Sequence, residues 1–339
     1  MGEHAVVLSR AGVGSLPAQH ITRIEDHGGI EFVVRHEAPG PDEAVRLLQS
    51  ATVLATTNIT LPRLDDDLLG RLPRLHSVVL HATGYEHVDL AALERHGVAL
   101  SVLPGYATPA VAEHALGLLL TLATRTHLAH DKSRGLVPGD TSLRGVELGG
   151  RTLGVIGVGR IGSHLARIAT GLGMTVIGSD PDPVARAEAA EAGIEMTATD
   201  DLLERAEAVA VCASTDPDHP VVLDGARIRR CRAGAFLVNV GRPVLVDTDA
   251  VVDEVRRRHL RGYAVDDVVL DGDTHADLLT EGRIVQTSHS AWWRDETLHR
   301  GAEHFGRAIL AALTGRPLDA VTEAVPDAAL ADAHKEWVA

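Results

Sequence analysis

Apolar runs at residues 5–8, 32–34, 52–55, 77–80 and 99–102 alternate with polar or helix-forming stretches, which is the rhythm of a parallel α/β layer. Pro104, Gly105 and Pro109 break it. Residues 111–126 then read as one long helix, and residues 134–150 as a Gly- and Pro-containing connector. Alternation resumes with strands predicted at 152–156, 208–213, 235–240, 263–265 and 284–287, and with helices near 184–192, near 223–230 and from Asp247. The pattern predicts an α/β protein of two doubly wound parallel-sheet domains. A helix over 295–314 that returns to the first domain makes it discontinuous, residues 1–101 with 292–339, around a second domain of residues 102–291.

The most specific segment is RTLGVIGVGRIGSHLARIATGLGMTVIGSD, residues 151–180. It holds a strand, three glycines in G-x-G-x-x-G spacing (Gly157, Gly159, Gly162), a helix, a second strand and a terminal acid, Asp180. Lack of a side chain at the glycines allows a tight turn, close approach of backbone to a pyrophosphate, and close helix-on-strand packing. The helix opening at Ile161 aims unpaired N–H groups and its positive dipole end at the phosphates, with Arg160 and Ile161 beside them. Asp180 can accept hydrogen bonds from ribose hydroxyls and repels a 2′-phosphate, so the expected cofactor is NAD rather than NADP. Gly12 and Gly14 have neither a third glycine nor a Walker lysine and read as a strand-ending turn.

Composition narrows the partners. The 339 residues carry a formal net charge of −15, which argues against a nucleic-acid footprint and against adhesion to anionic membranes. Two cysteines, Cys212 and Cys231, are too few for a disulfide framework and suit a reducing cytosol, so a cytoplasmic location is expected. The apolar segment 115–123 is too short to span a bilayer. His127 and His130 lack a third ligand and read as a solvated helix face, so no metal site is expected.

Candidate chemistry lies at predicted strand ends, where open α/β sheets place their ligands. Arg242 follows FLVNVG, Asp266, Asp267 and Asp271 follow YAV, and His289 follows IVQTS. With these residues the chain resembles the D-isomer-specific 2-hydroxyacid dehydrogenase family. The resemblance runs through HATGYEHVDL (81–90), PGYATPAVAEHALGLLLTLATR (104–125), ELGGRTLGVIGVGRIG (147–162), LVNVGRPVLVD (237–247) and SHSAWW (288–293).

The resemblance implies a Rossmann NAD-binding domain inserted into a smaller flavodoxin-like substrate domain, with a hydride-transfer site between them. Arg242 matches the arginine that holds the substrate carboxylate and carbonyl oxygen, and His289 the acid/base at that oxygen. The backbone around Ala82, Thr83 and Gly84 matches the carboxylate-binding loop, and Asp266 the strand-end aspartate at the cofactor. Thr57 and Asn58 fall where the side-chain pocket is lined, and Trp292 and Trp293 either wall the pocket or pack the domain junction. Three positions depart from the family pattern. Asp271 stands where a glutamate normally backs the histidine, with Asp273 as a rival, Pro243 replaces the glycine after the arginine, and Ser214 replaces a proline. The implied activity is NAD-dependent interconversion of a small 2-oxo acid and a D-2-hydroxy acid by a homodimer. Oxidation of a phosphorylated hydroxy acid, phosphonate or phosphite, and a weakly catalytic NAD-sensing protein, are the alternatives.

Overall fold

The structure, a computed structural model, describes residues 2–215 and 221–321. Two compact units divide the chain. One takes the described residues up to Tyr106 and from Asp295 onward, and the other runs Ala107–Arg294. Both boundaries fall a few residues later than the pattern predicts. Leu103 and Tyr106 still pack in the first unit's core, and Arg294 is bonded to Ser290 and His114 in the second, so Trp292 belongs to the second unit.

The first unit alternates β1 (His4–Ser9), α1 (Ala18–Glu25), β2 (Gly29–Val34), α2 (Pro41–Leu48), β3 (Val53–Thr56), α3 (Asp66–Gly70), β4 (Ser77–Leu80), α4 (Leu90–Arg95) and β5 (Ala99–Ser101). Its five strands are parallel in the order β2-β1-β3-β4-β5, the flavodoxin-like arrangement. Side chains of β1 alternate between faces, as the pleat dictates. Val6 and Leu8 join Leu54, Val78 and Leu80 on one side, while Ala5 and Val7 join Val53 and Ala55 on the other.

The second unit continues with α5 (Thr108–Thr124), α6 (Thr126–Ser133), β6 (Thr152–Ile156), α7 (Arg160–Gly171), β7 (Thr175–Ser179), α8 (Pro183–Glu191), β8 (Glu195–Met196), α9 (Thr199–Arg205), β9 (Ala208–Val211), α10 (Gly225–Arg230), β10 (Phe236–Asn239), α11 (Thr248–Arg256), β11 (Gly262–Val265), α12 (Ala276–Thr280) and β12 (Ile284–Gln286). Then α13 (Asp295–Leu313) returns to the first unit and lays Phe305, Ala308, Ile309 and Ala312 against β1, β3 and β4. The helix predicted at 111–126 starts at Thr108, because Pro109 needs no N–H in a first turn. It stops at Thr124, where Arg125 adopts a left-handed conformation (φ 58°) and a separate helix begins.

The second sheet is parallel in the order β12-β11-β10-β9-β6-β7-β8. Strand order reverses between β6 and β9, the switch point at which doubly wound sheets bind ligands. Leu153, Val155, Ala208, Ala210 and Val238 pack against α5 and α7, and Val209, Val211, Leu237 and Tyr263 against α9, α10 and α11. Both faces are covered, so every functional side chain is presented at a strand end.

Candidate active site

Gly157 follows β6 with φ +87°, and a Cβ there would lie 2.5 Å from the backbone nitrogen of Ala213. A Cβ on Gly162 would collide with the carbonyl oxygen of Gly157, so the helix packs onto the turn only because that side chain is missing. Gly159, the N-cap of α7, is different. A Cβ there meets nothing within 4 Å, which leaves open space beside the first-turn N–H groups of Arg160, Ile161 and Gly162. At the end of β7, Asp180 Oδ2 accepts from Val158 N at 2.8 Å and Oδ1 from Asp182 N at 2.9 Å. The carboxylate is thereby tied to the glycine turn. An open cradle of N–H groups beside a fixed acid fits a dinucleotide. Gly12 lies in a short 3₁₀ turn after β1 with φ +54°, and a Cβ there would come within 2.8 Å of the Val34 side chain, which fits a strand-ending turn.

Arg242 leaves β10 in extended conformation, its carbonyl accepting from Asn239 Nδ2 at 2.9 Å. Asn239, buried at the end of β10, also accepts from Gly241 N at 3.0 Å and so sets the backbone on both sides of the loop. Pro243 opens a 3₁₀ turn, Pro243–Leu245, where a missing N–H costs nothing, and this accommodates the departure at that position.

Asp266 ends β11 with its side chain buried. Oδ1 accepts from Thr287 Oγ1 (2.7 Å) and Ser290 N (2.9 Å), and Oδ2 accepts from Ala291 N (2.9 Å). Although expected at the cofactor, its carboxylate braces the loop that carries His289. Beyond Thr287 lies His114 of α5, whose Nε2 is 3.0 Å from Thr287 Oγ1 and whose Nδ1 is 3.2 Å from Arg294 Nη2. Arg294 can only donate, so Nδ1 accepts and the ring proton sits on Nε2. Burial pushes the ring's pKa below the ordinary histidine value, and of the two charges beside it Asp266 opposes that shift while Arg294 adds to it.

His289 adopts φ 50°, and its Nδ1 lies 3.4 Å from Asp267 Oδ2. The predicted partner, Asp271, is elsewhere. Its Oδ1 accepts from Thr274 N (2.8 Å), Thr274 Oγ1 (3.0 Å) and Asp273 N (3.1 Å), an exposed turn cap whose bonds hold the carboxyl below the usual carboxylate range. Among the described residues, the ion pair of His289 is with Asp267, not with Asp271 or Asp273. Trp292, half-buried, meets the exposed Trp293 edge to face at 4.9 Å.

In the first unit, Ala82 N donates to Leu80 O at 2.7 Å, so this N–H is not free for a carboxylate and the expectation narrows to Thr83 and Gly84. Thr83 Oγ1 donates to Leu103 O at 3.0 Å and anchors that loop. Asn58 is exposed in the turn after β3, beside the hydroxyl cluster of Thr56, Thr57 and Thr60. Sequence reasoning did not single out His114, Asn239, Gln286 or Arg294. For the first three the one signal was a polar residue inside an otherwise apolar strand or helix; Arg294, in the loop before α13, had none.

The described residues contain no cluster of three or more His, Cys, Asp or Glu able to hold a metal ion, and no helix long and apolar enough to cross a membrane. A concavity of about 740 Å³ lined by Thr124, Gly145, Arg151 and Glu207 lies at the opposite, entering ends of β6 and β9 and plays no part in this site.

A parallel sheet with a dinucleotide turn at its switch point, and an arginine, a braced aspartate and a histidine at the ends of three successive strands, defines the class of dinucleotide-binding, doubly wound α/β proteins. Residues 116–291 match the D-isomer specific 2-hydroxyacid dehydrogenase NAD binding domain, and the chain belongs to that family. It is 32% identical over 292 residues to a D-3-phosphoglycerate dehydrogenase of Mycobacterium leprae, covering 86% of this chain and 52% of that protein. The chain thus spans about half the length of such relatives. It is 31% identical over 246 residues to a D-lactate dehydrogenase of Curvularia clavata, covering 68% of this chain and 69% of that one. A crystal structure of a Thermus thermophilus protein superposes with a TM-score of 0.78 at 29% identity, over 94% of this chain and all of that one.

Proposed function

We propose that this chain interconverts a small 2-oxo acid and its D-2-hydroxy acid with NAD as the redox partner. The observation that carries the reading is the placement of Arg242 and His289 beyond the carboxyl ends of β10 and β12, the same end of the parallel sheet at which the Gly157–Gly162 turn follows β6. The cofactor, held by that turn and by Asp180, supplies a two-electron carrier when bound. Arg242 offers a planar fork to the carboxylate and the carbonyl oxygen of a 2-oxo acid, and its charge favours the alkoxide-like oxygen that develops on reduction. His289 gives that oxygen a proton in reduction and takes it back in oxidation. The N–H groups of Thr83 and Gly84 are assigned to the substrate carboxylate, and Asn58 and Trp292 to its side chain. A homodimer completes the reading, and sedimentation tests it.

The test is a screen of 2-oxo acids, including phosphorylated ones, that follows NADH absorbance, combined with Arg242→Lys. Lysine keeps the charge and loses the fork. The variant is expected to lower kcat/KM for the accepted acid while NADH binding, read by fluorescence titration, stays within about twofold of the wild-type protein. NADH binding without turnover on any acid supports instead an NAD-sensing protein.

A further inference from the structure

We infer that Asp267 is the residue that positions the His289 ring, in the role the resemblance would give to Asp271. This rests on His289 being the acid/base of the reading above, and it follows from how the loop after β11 is held. Gln286 of β12 accepts from Val269 N (3.2 Å) and Leu270 N (3.1 Å) and donates to Leu270 O (3.1 Å), which clamps the middle of the loop to the sheet. The chain before the clamp stays beside β12 and its His289. The chain after it turns away into the cap that Asp271 makes for residues 273–275. An aspartate at 271 is satisfied by three donors of its own turn and has no need of a histidine.

Asp266 and Asp267 are consecutive in the bend that follows β11, and they differ in burial and in partners, the first side chain lying inward and the second more exposed. The inward one takes the backbone N–H groups of Ser290 and Ala291, just after His289, and stabilises the left-handed conformation of that residue. The outward one takes the ring. Asp267 is itself fixed, because its Oδ1 accepts from Val268 N at 2.8 Å while Oδ2 faces His289 Nδ1. Two adjacent carboxylates therefore hold the same histidine, one by its main chain and one by its imidazole. With Nδ1–H directed at Asp267, the neutral ring is held in the tautomer that leaves the Nε2 lone pair to exchange a proton with substrate. The pair is half-exposed, with side-chain exposures of 54% for His289 and 32% for Asp267, so it adds little to stability and its effect falls on ring orientation.

The experiment uses the full chain with ¹⁵N-labelled histidine and compares Asp267→Ala, Asp271→Ala and His289→Ala. The wild-type ring is expected to show the Nδ1–H tautomer. Asp267→Ala should release it to the Nε2–H form common for free imidazole and lower kcat by about tenfold or more, a share of the ~10²–10⁴ that acid–base catalysis supplies. KM for NADH and the melting temperature should not move, Asp271→Ala should leave tautomer and kcat unchanged, and Asp267→Glu should restore part of both. An unchanged tautomer in Asp267→Ala, or a change in Asp271→Ala, overturns the assignment. Full turnover in His289→Ala overturns the acid/base reading instead, and the tautomer measurement still decides which carboxylate holds the ring.

Discussion

His114 and Thr287 meet at 3.0 Å although 173 residues separate them. The first helix of the second unit is thereby joined to its last strand by a side-chain bond, and through Thr287 to Asp266 and the His289 loop. Removing the ring's donor and acceptor takes one bond each from Thr287 and Arg294, both half-buried and both still held by other partners, a loss of about 0.5–1.5 kcal/mol per bond. His114→Leu is expected to lower the urea midpoint and kcat together, while His114→Gln, which can donate and accept, should recover part of both. Equal effects of Leu and Gln would remove the hydrogen-bond relay as the cause.

The glycine turn separates folding from binding. Gly157→Ala meets both a left-handed φ and backbone atoms of Ala213, so a loss of more than about 1 kcal/mol in stability is expected. Gly159→Leu projects into open space. It should keep the wild-type melting temperature and lose most NADH affinity, as measured by calorimetry; normal affinity would place the cofactor elsewhere.

Asp180→Ala frees Val158 N and takes away the carboxylate that faces the ribose in the proposed site. NAD should bind at least about tenfold more weakly, a fold-change worth about 1.4 kcal/mol, and discrimination against NADP should relax. A wild-type preference for NADP overturns the assignment.

Acid should destabilise the first unit through His81. Burial, aided by the charge of His304, pushes its pKa down to about 4, and the ring stacks on Phe305 at 4.8 Å. A base with a depressed folded-state pKa contributes stability that is intact above the unfolded value near 6.5 and is lost as pH falls toward 4, because only the unfolded chain takes the proton in that window. The loss reaches roughly 2 kcal/mol by pH 5. His81→Gln should flatten that slope in denaturant titrations at pH 7 and pH 5; parallel curves for the two proteins would show that His81 does not set it.

The features legible in the sequence are those whose geometry is local. Gly157, Gly162 and Asp180 are locked to one strand, turn, helix and strand, so residue spacing alone places them. The cycle of strands was legible because both faces of each sheet are covered, which makes whole strands apolar. The partner of His289 was not. Whether Asp267 or Asp271 reaches the ring depends on the Gln286 clamp, a contact between β12 and the loop after β11 that no spacing along the chain reports. His114 stayed hidden for the same reason, since its partners sit at the far end of the unit. The helix boundary at Arg125 was missed because a left-handed arginine leaves no mark in a hydrophobic pattern.

The return of α13 to the first unit sets an order of events during synthesis. Strands β1, β3 and β4 emerge from the ribosome early, yet the surface that Phe305, Ala308, Ile309 and Ala312 cover stays bare until the chain has been made past Leu313. The nucleotide-binding unit ends at Arg294 and has all its strands by then. Of the two units, the one whose strands are made earlier is thus the later to complete its fold, and in the interval its uncovered apolar face is a surface for a chaperone to shield.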